Sequence, residues 1–536
     1  MSAKQVLYGS DARQKVLRGA TKLVDAMRVT LGPMARSVLI GRKWGVPIVC
    51  DDGVTIAKEF ELKDAEEDLG ARMIRQAAEK TSDIVGDGTT TAALLAHSIY
   101  AEGLRNVAAG ASAIRLKRGL ERGLAVAVAS IRKRSRQIAT LEEKRHIATV
   151  SAHGDEAIGA LVAEAIDHVG AEGVVTVEDA KTAEATLEFV EGMQLDRGTM
   201  SPYFITDPVR VECVLEDAQI LLHDGKIRSM KDMVPLLEGI AKTGTPLLVV
   251  AEDLETEALA TLILNRVRGM LSVAAIKAPG FGDRRKAMLR DLAVLTGGEV
   301  ISEELGTSLE KVTPEMLGRA SKIVVGSDAT TIIGGMGAPD AIAGRIDELR
   351  RQLDDVRSTY DREKLAERIA KLTGGVAVLR VGAASETELK KQKEAFDDAI
   401  AATKAAVEEG IVPGGGVALL RAVAALKREV EHSEGDERTG LRVLARALET
   451  PLRQIADNSG VDPGVVVQTV AAHDDAFGYD AGRDKYGDLA VLGIIDPTKV
   501  VRTALENAVS VAGVLLLTEV TLTEEEEPAP TNESAI

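Results

Sequence analysis

Hydrophobic positions recur along this chain in two rhythms. Over residues 11–31, Val16, Leu17, Ala20, Leu23, Val24, Met27 and Leu31 fall at helical spacing, which predicts an amphipathic helix. Gly32-Pro33 ends it. Short strand patterns follow at 37–40 and 46–50, and Asp51-Asp52-Gly53 reads as a hairpin-type turn. Helical patterns then fill roughly 64–135. Near residue 172 the texture changes. The stretches 174–177, 187–190, 247–251, 273–277, 300–301 and 323–325 read as strands, with helices over about 231–243, 255–268 and 283–296. This alternation predicts an α/β domain with a substantially parallel sheet. A charged helical run over about 339–372 ends at Gly374-Gly375, and after 376–381 the chain is mostly helical to about 472. Gly192 and Gly374-Gly375 bracket the α/β part. They are candidate hinges, although ordinary turns use glycine too.

Two helices are apolar on more than one side. In 255–268, Ala258, Leu259, Leu262, Ile263, Leu264 and Val267 cover roughly 240° of the wheel. A surface helix needs a stripe only a little over about 100° wide. Helix 231–243 is similar, with Met233, Val234, Leu236, Leu237 and Ile240. Either both helices are buried all round, or they offer a second apolar face to exposed segments of other proteins.

Two glycine-rich loops feed helices. Gly86-Asp87-Gly88-Thr89-Thr90-Thr91 opens directly into a helical pattern. Glycine lets backbone approach a ligand closely, and the free N–H groups and dipole of a helix start suit phosphate. A carboxylate there repels phosphate unless a cation lies between them, so Asp87 points to a Mg-nucleotide site. A plain Thr/Asp-capped helix start is the alternative. The pattern G-x-x-x-x-G-K-[ST] occurs nowhere. The second loop is Pro413-Gly414-Gly415-Gly416, after Glu408-Glu409-Gly410.

Composition narrows the class. At 536 residues, with 45% hydrophobic and 28% charged positions, two to four globular domains are expected. A net charge of -17 argues against nucleic acid as a partner. Aromatics are only 2%, so the core is expected to be aliphatic, with Ala and Gly allowing close helix packing. Two cysteines, Cys50 and Cys213, form no disulfide or metal framework. No targeting segment and no membrane-length apolar run is read from the sequence, so a soluble cytoplasmic protein is expected. The acidic, apolar-poor tail from 524 is expected to be disordered.

Several segments together resemble the GroEL-type group I chaperonins. They are Thr30-Leu31-Gly32-Pro33, Asp52-Gly53-Val54, the loop at 86–91, Ala278-Pro279-Gly280-Phe281-Gly282-Asp283-Arg284-Arg285 and Gly414-Gly415-Gly416. Tyr360-Asp361-Arg362-Glu363-Lys364-Leu365 and Ile495-Asp496-Pro497-Thr498-Lys499-Val500 join them. The likeness is co-linear from near residue 4 to about 520. It implies a multi-domain α/β subunit. A mostly helical ATP-binding equatorial domain would come from both chain ends, 1–134 and 410–536. A small intermediate domain would take 135–191 and 376–409, and an α/β apical domain 192–375. It also implies a homo-oligomer of two stacked seven-membered rings that encloses unfolded client proteins under a co-chaperonin lid.

Carried onto this chain, the resemblance implies ATP, Mg2+ and K+ as ligands. Thr30, Leu31, Gly32, Pro33, Asp51, Asp87, Gly88, Thr89, Thr90 and Thr91 would hold the phosphates, with Asp87 on Mg2+ and Thr30 and Thr90 near K+. Gly415, Asp480, Ala481, Gly482 and Asp496 would line the nucleoside side. Asp398 would orient or deprotonate the attacking water, supported by Asp52. Phosphoryl transfer needs this kind of positioning rather than covalent catalysis. Val234, Leu237, Leu259, Ile263, Leu264 and Asn265 would bind client and lid, and Gly192, Gly374, Gly375 and Gly410 would be hinges.

The chain also departs from that family's usual pattern. Met34-Ala35-Arg36-Ser37 stands where Lys-Gly-Arg-Asn is usual, and Asp51 where Lys or Thr is usual. Thr199 replaces an apical aromatic and Ser327 a lysine. Added negative charge near phosphate is expected to weaken affinity or increase cation dependence. An ATP-driven folding machine is the first reading, and a weak ATPase acting as a passive binder of unfolded proteins is the second.

Overall fold

The computed structural model describes residues 4–524 except 42–46, 153, 171–172, 181–183, 209, 357 and 384. They form two compact units, one from residues up to 163 together with 394 onward, the other from 164–393.

The first unit is mostly helical. Helix Gly9–Met27 buries Ala12, Val16, Gly19, Ala20, Leu23, Val24 and Met27, one stripe at helical spacing. It packs against helix Ala65–Val85 through Gly70, Ala71, Ile74, Ala77 and Ala78. Two glycines make that crossing close. A Cβ on Gly19 would lie 1.7 Å from the Glu67 carbonyl oxygen, and one on Gly70 would lie 2.0 Å from that of Val16. The same reciprocal device joins helices Ala113–Arg134 and Gly435–Ala447, where Gly119 faces Glu437 O at 2.2 Å and Gly440 faces Leu116 O at 2.3 Å.

Helix Thr498–Leu517 threads this bundle against three other helices and is buried along most of its length. It is long and apolar enough to cross a membrane by length and composition, contrary to the expectation that no such run exists. Its apolar character is explained by burial on nearly every side. Strand Lys4–Tyr8 pairs antiparallel with Val520–Glu524, Lys4 opposite Glu524. Glu524 therefore ends a strand, and the remainder of the expected acidic tail lies outside the described residues.

The second unit is built on a seven-stranded sheet. Its order is Val273–Lys277, Leu247–Ala251, Cys213–His223, Gly318–Val325, Thr330–Gly335, Gly192–Leu195, with Val300–Ile301 beside Cys213–His223. The first three are parallel and the rest of that path antiparallel, so the sheet is mixed rather than substantially parallel. Strand Cys213–His223 escaped the sequence reading because Glu216-Asp217 interrupts its apolar run, and Asp217 sits at φ 48°. A separate sheet joins Val174–Asp179, Val376–Val381 and Thr186–Val190. The charged run at 339–372 is two helices, Pro339–Asp355 and Thr359–Gly374. Both cysteines are buried and free.

The helix crossings make a prediction that separates close contact from propensity. In an open helix, Gly→Ala stabilises by roughly 1 kcal/mol. Here Gly19→Ala and Gly440→Ala are each expected to destabilise by about 2 kcal/mol or more, because backbone stands where the methyl must go. A lower melting temperature by calorimetry is the expected result, and a higher one would contradict the packing described.

Candidate functional site

Two helix starts and a turn meet in the first unit. Helix Thr89–Ala108 begins after Gly86 and Gly88, at φ 71° and φ 80°. No side chain caps it. Thr89 and Thr90 are buried in its first turn and Thr91 is half-buried. Helix Gly53–Glu59 starts alongside, where a Cβ on Gly53 would lie 2.2 Å from Thr90 Oγ1 and 3.1 Å from Thr89 Oγ1. Asp52 is its N-cap, accepting from the backbone N–H groups of Val54 (3.3 Å) and Thr55 (2.8 Å). The expected hairpin turn at 51–53 is thus a helix start, since aspartate caps helices as readily as it occupies turns.

The Thr30 hydroxyl donates to Met27 O at 2.9 Å and lies 3.4 Å from Thr90 Oγ1. Gly32, at φ 89°, packs on Ile455. Asn458 donates from Nδ2 to the carbonyls of Arg28 (2.9 Å) and Leu31 (2.8 Å), which pins the turn Leu31-Gly32-Pro33. Met34 and Ala35 are exposed beyond it.

A second group adjoins this one. A Cβ on Gly414 would meet Asp496 Oδ1 at 2.8 Å, and Gly415, at φ 60°, lies beside the Tyr479 carbonyl. The buried Asp480 carboxylate accepts from the N–H groups of Gly482 (3.1 Å) and Arg483 (3.2 Å), a local turn that shapes Asp480-Ala481-Gly482. A Cβ on Gly482 would stand 3.6 Å from Pro33, so this segment borders the Thr30 turn.

Carboxylates crowd the space between. One oxygen of Asp87 accepts from the Ser151 hydroxyl at 2.9 Å, and the other accepts from Gly88 N–H. Burial pushes the Asp398 carboxyl up to about 8, with the Asp87 and Asp52 charges adding to it. Burial, and then Asp87, pushes Asp496 up to about 7. Among the described residues none of Asp52, Asp87, Asp398 and Asp496 forms an ion pair. A negative field without a basic partner, beside free helix N–H groups, suits a metal cation carrying phosphate. No group of three or more carboxylate, histidine or cysteine ligands is assembled among the described residues. Mg2+ fits nonetheless, because it commonly takes one or two carboxylates and completes its shell with water and substrate phosphate.

Ser151 and Asn458 were not legible beforehand. Each is a polar residue in or ending a helical stretch, and only the fold brings it to Asp87 or to the turn. Gly410, at φ 80°, is wedged 2.5 Å (as a built Cβ) from the Arg136 carbonyl oxygen. Gly192, Gly374 and Gly375 lie in the second unit, each against the backbone of a neighbouring element.

The second unit also carries the apolar helices. Helix Thr256–Val267 fully buries only Ala258 and Leu262, so it is not buried all round. Leu264 and Val267 are 47% and 66% exposed, and Leu259, Ile263 and Asn265 are half-buried. Helix Val234–Thr243 exposes Val234 but tucks Leu237 into the core at 8%. Tyr203, unremarked in the sequence, is 67% exposed on the turn Pro202–Phe204 that packs on helix Thr256–Val267. A cleft of about 450 Å3 opens elsewhere in this unit, lined by Arg197, Arg284, Asp361 and Arg368. Two of its cations are matched internally, Arg284 with Asp361 (3.0 Å) and Arg368 with the buried Asp291 (2.7 Å).

Comparison with known proteins gives the family. The family model described as "TCP-1/cpn60 chaperonin family" matches residues 23–526. The protein named Chaperonin GroEL 5 of Bradyrhizobium diazoefficiens is 60% identical over 528 residues, 98% of this chain and 98% of its own. With the match running through the glycine loops, the carboxylates and the apolar helices alike, this chain belongs to the TCP-1/cpn60 chaperonin family.

Proposed function

We propose that this chain is the subunit of an ATP-driven ring that captures non-native proteins and promotes their folding under a lid. The observation that carries the catalytic half is the meeting of the Thr30 turn, the Thr89–Thr91 helix start and a carboxyl raised to about 8 at Asp398. In this reading Thr30 to Pro33, Asp51 and Asp87 to Thr91 hold the phosphates. Gly415, Asp480 to Gly482 and Asp496 hold the nucleoside. Asp87 holds Mg2+, which supplies charge neutralisation at the phosphates. Thr30 and Thr90, whose hydroxyls stand 3.4 Å apart, hold K+.

Asp398 orients the attacking water and, in its ionised form, accepts its proton. A carboxylate with a raised pKa is a stronger base than an ordinary one, and it works best near the operating pH. Asp52 acts on it through space, since both its oxygens are engaged in capping. Ser151 fixes the Asp87 carboxylate that must carry the metal. In the second unit, Val234, Leu237, Leu259, Ile263, Leu264 and Asn265 form the client and lid face, extended by Val267 and Tyr203. The three-part division at 134/135, 191/192, 375/376 and 409/410, the hinges at Gly192, Gly374, Gly375 and Gly410, and two stacked heptamers in the cytoplasm belong to the same reading. The full set of carboxylates favours turnover over a passive binder.

Three outcomes are expected. Asp398→Ala lowers steady-state ATP hydrolysis by about 100-fold or more while ATP still binds. Turnover at the wild-type rate would remove Asp398 from the chemistry. The second concerns pH. The folded Asp398 holds its proton up to about 8, whereas the unfolded chain releases it near 3.8, so acid favours the folded state. The contribution of this group to stability therefore falls as pH rises through that window. Without nucleotide, Asp398→Asn is expected to melt higher than wild type by a margin that widens from pH 5 to pH 8. A margin independent of pH would show that the carboxyl is not raised. The third tests the apolar face. Leu264→Ser with Val267→Ser is expected to weaken capture of a chemically denatured client by about tenfold or more. Unchanged capture would place client binding elsewhere.

A further inference from the structure

Arg421 is a buried cation whose guanidinium makes all its hydrogen bonds to backbone. It lies on helix Val417–Glu431, five residues after Gly416, and is 7% exposed. Nη1 donates to Val470 O at 2.9 Å, Nε to Asp475 O at 3.1 Å and Nη2 to Phe477 O at 2.8 Å. Among the described residues it forms no ion pair. An arginine desolvated without a carboxylate is costly unless its donors are well matched, so these carbonyls hold it and it holds them.

The three carbonyls span one connection. Val470 is in the last turn of helix Pro463–Ala471. Asp475 is left-handed at φ 52°, a conformation disfavoured for any residue but glycine and eased in Asp and Asn. Phe477 begins strand Phe477–Asp480, which pairs with Lys485–Asp488 and leads into Asp480-Ala481-Gly482. The hairpin is stiffened by a run of rings, His473 on Phe477 at 4.0 Å, Phe477 near Tyr486 at 6.1 Å and Tyr486 near Tyr479 at 5.2 Å. Three of the chain's 13 aromatic residues are spent on this one hairpin. The start of the same helix touches it too, since a Cβ on Gly478 would meet Val417 Cγ2 at 2.8 Å.

One helix thus presents the glycine loop 414–416 at its start and grips the hairpin one turn later. We propose that Arg421 is a positioning residue that sets the spacing between the glycine loop and Asp480-Ala481-Gly482, and so tunes recognition of the nucleobase without touching it. The inference rests on the nucleotide reading given above.

The test compares two probes, MgATP and the magnesium complex of ribose 5-triphosphate, which has the phosphates but no base. Arg421→Lys keeps the charge but cannot fork to three carbonyls. It is expected to weaken MgATP binding on the order of tenfold and to leave ribose 5-triphosphate binding unchanged. A loss shared equally by both probes, or no loss for either, would overturn the proposal. Should Arg421→Lys not fold, Gly478→Ala, which presses the hairpin off Val417 and Leu489, must give the same split between probes. An equal loss or no loss in that variant would overturn the proposal too. If wild type binds neither probe, the nucleotide reading itself fails, a result distinct from failure of the Arg421 proposal alone.

Discussion

A missing side chain governs the geometry of the first unit. Helix Gly53–Glu59 and helix Thr89–Ala108 can begin side by side only because residue 53 has no Cβ to strike the Thr90 hydroxyl. That approach puts Asp52, as the cap of one helix, into the electrostatic reach of Asp398, whose carboxyl also feels Asp87 before the other. The same logic recurs on a larger scale at Gly19, Gly70, Gly119 and Gly440, where backbone meets backbone. Helix packing with so few aromatics depends on such close approach, because dispersion contacts between small residues must replace large buried rings.

From this geometry follows the charge pattern. Several carboxylates are gathered without basic partners, and burial, with their mutual repulsion added to it, raises Asp398 and Asp496 well above an ordinary aspartate. For a chaperonin this is a useful imbalance. Negative charge gathered beside free helix N–H groups suits a metal cation carrying phosphate.

Much of this was legible in the sequence. The strands at 247–251 and 273–277 and the helix at 283–296 follow from periodicity alone and lie where the pattern put them, while the helix expected over 11–31 runs Gly9–Met27 and tightens into a 3-10 turn at Arg28–Thr30. The glycine loops and their neighbouring helix starts were visible because glycine, threonine and aspartate have few other reasons to cluster so. What stayed hidden was non-local. The turn at 51–53 and the helix cap there use the same residues, and only the helix that follows decides between them. The mixed sheet was obscured by Glu216-Asp217, whose charges break the apolar run of the central strand. Asn458, Ser151 and Arg421 act on residues 427, 64 and about 50 positions away, and no local pattern marks a partner at such distance.

The pairing of Lys4–Tyr8 with Val520–Glu524 has a consequence for the order of events during synthesis. Lys4 and Glu524 are separated by 520 positions and yet share one ladder. At ribosomal speeds of roughly 5–20 residues per second, the first strand emerges long before its partner exists. Residues 164–393, continuous in the chain, can complete their sheet while translation is still under way. The helical unit must wait, with the Leu23 and Met27 face of its opening helix uncovered in the interval. A protein whose function is to shelter unfinished chains is thus, for most of its own synthesis, a chain of that kind.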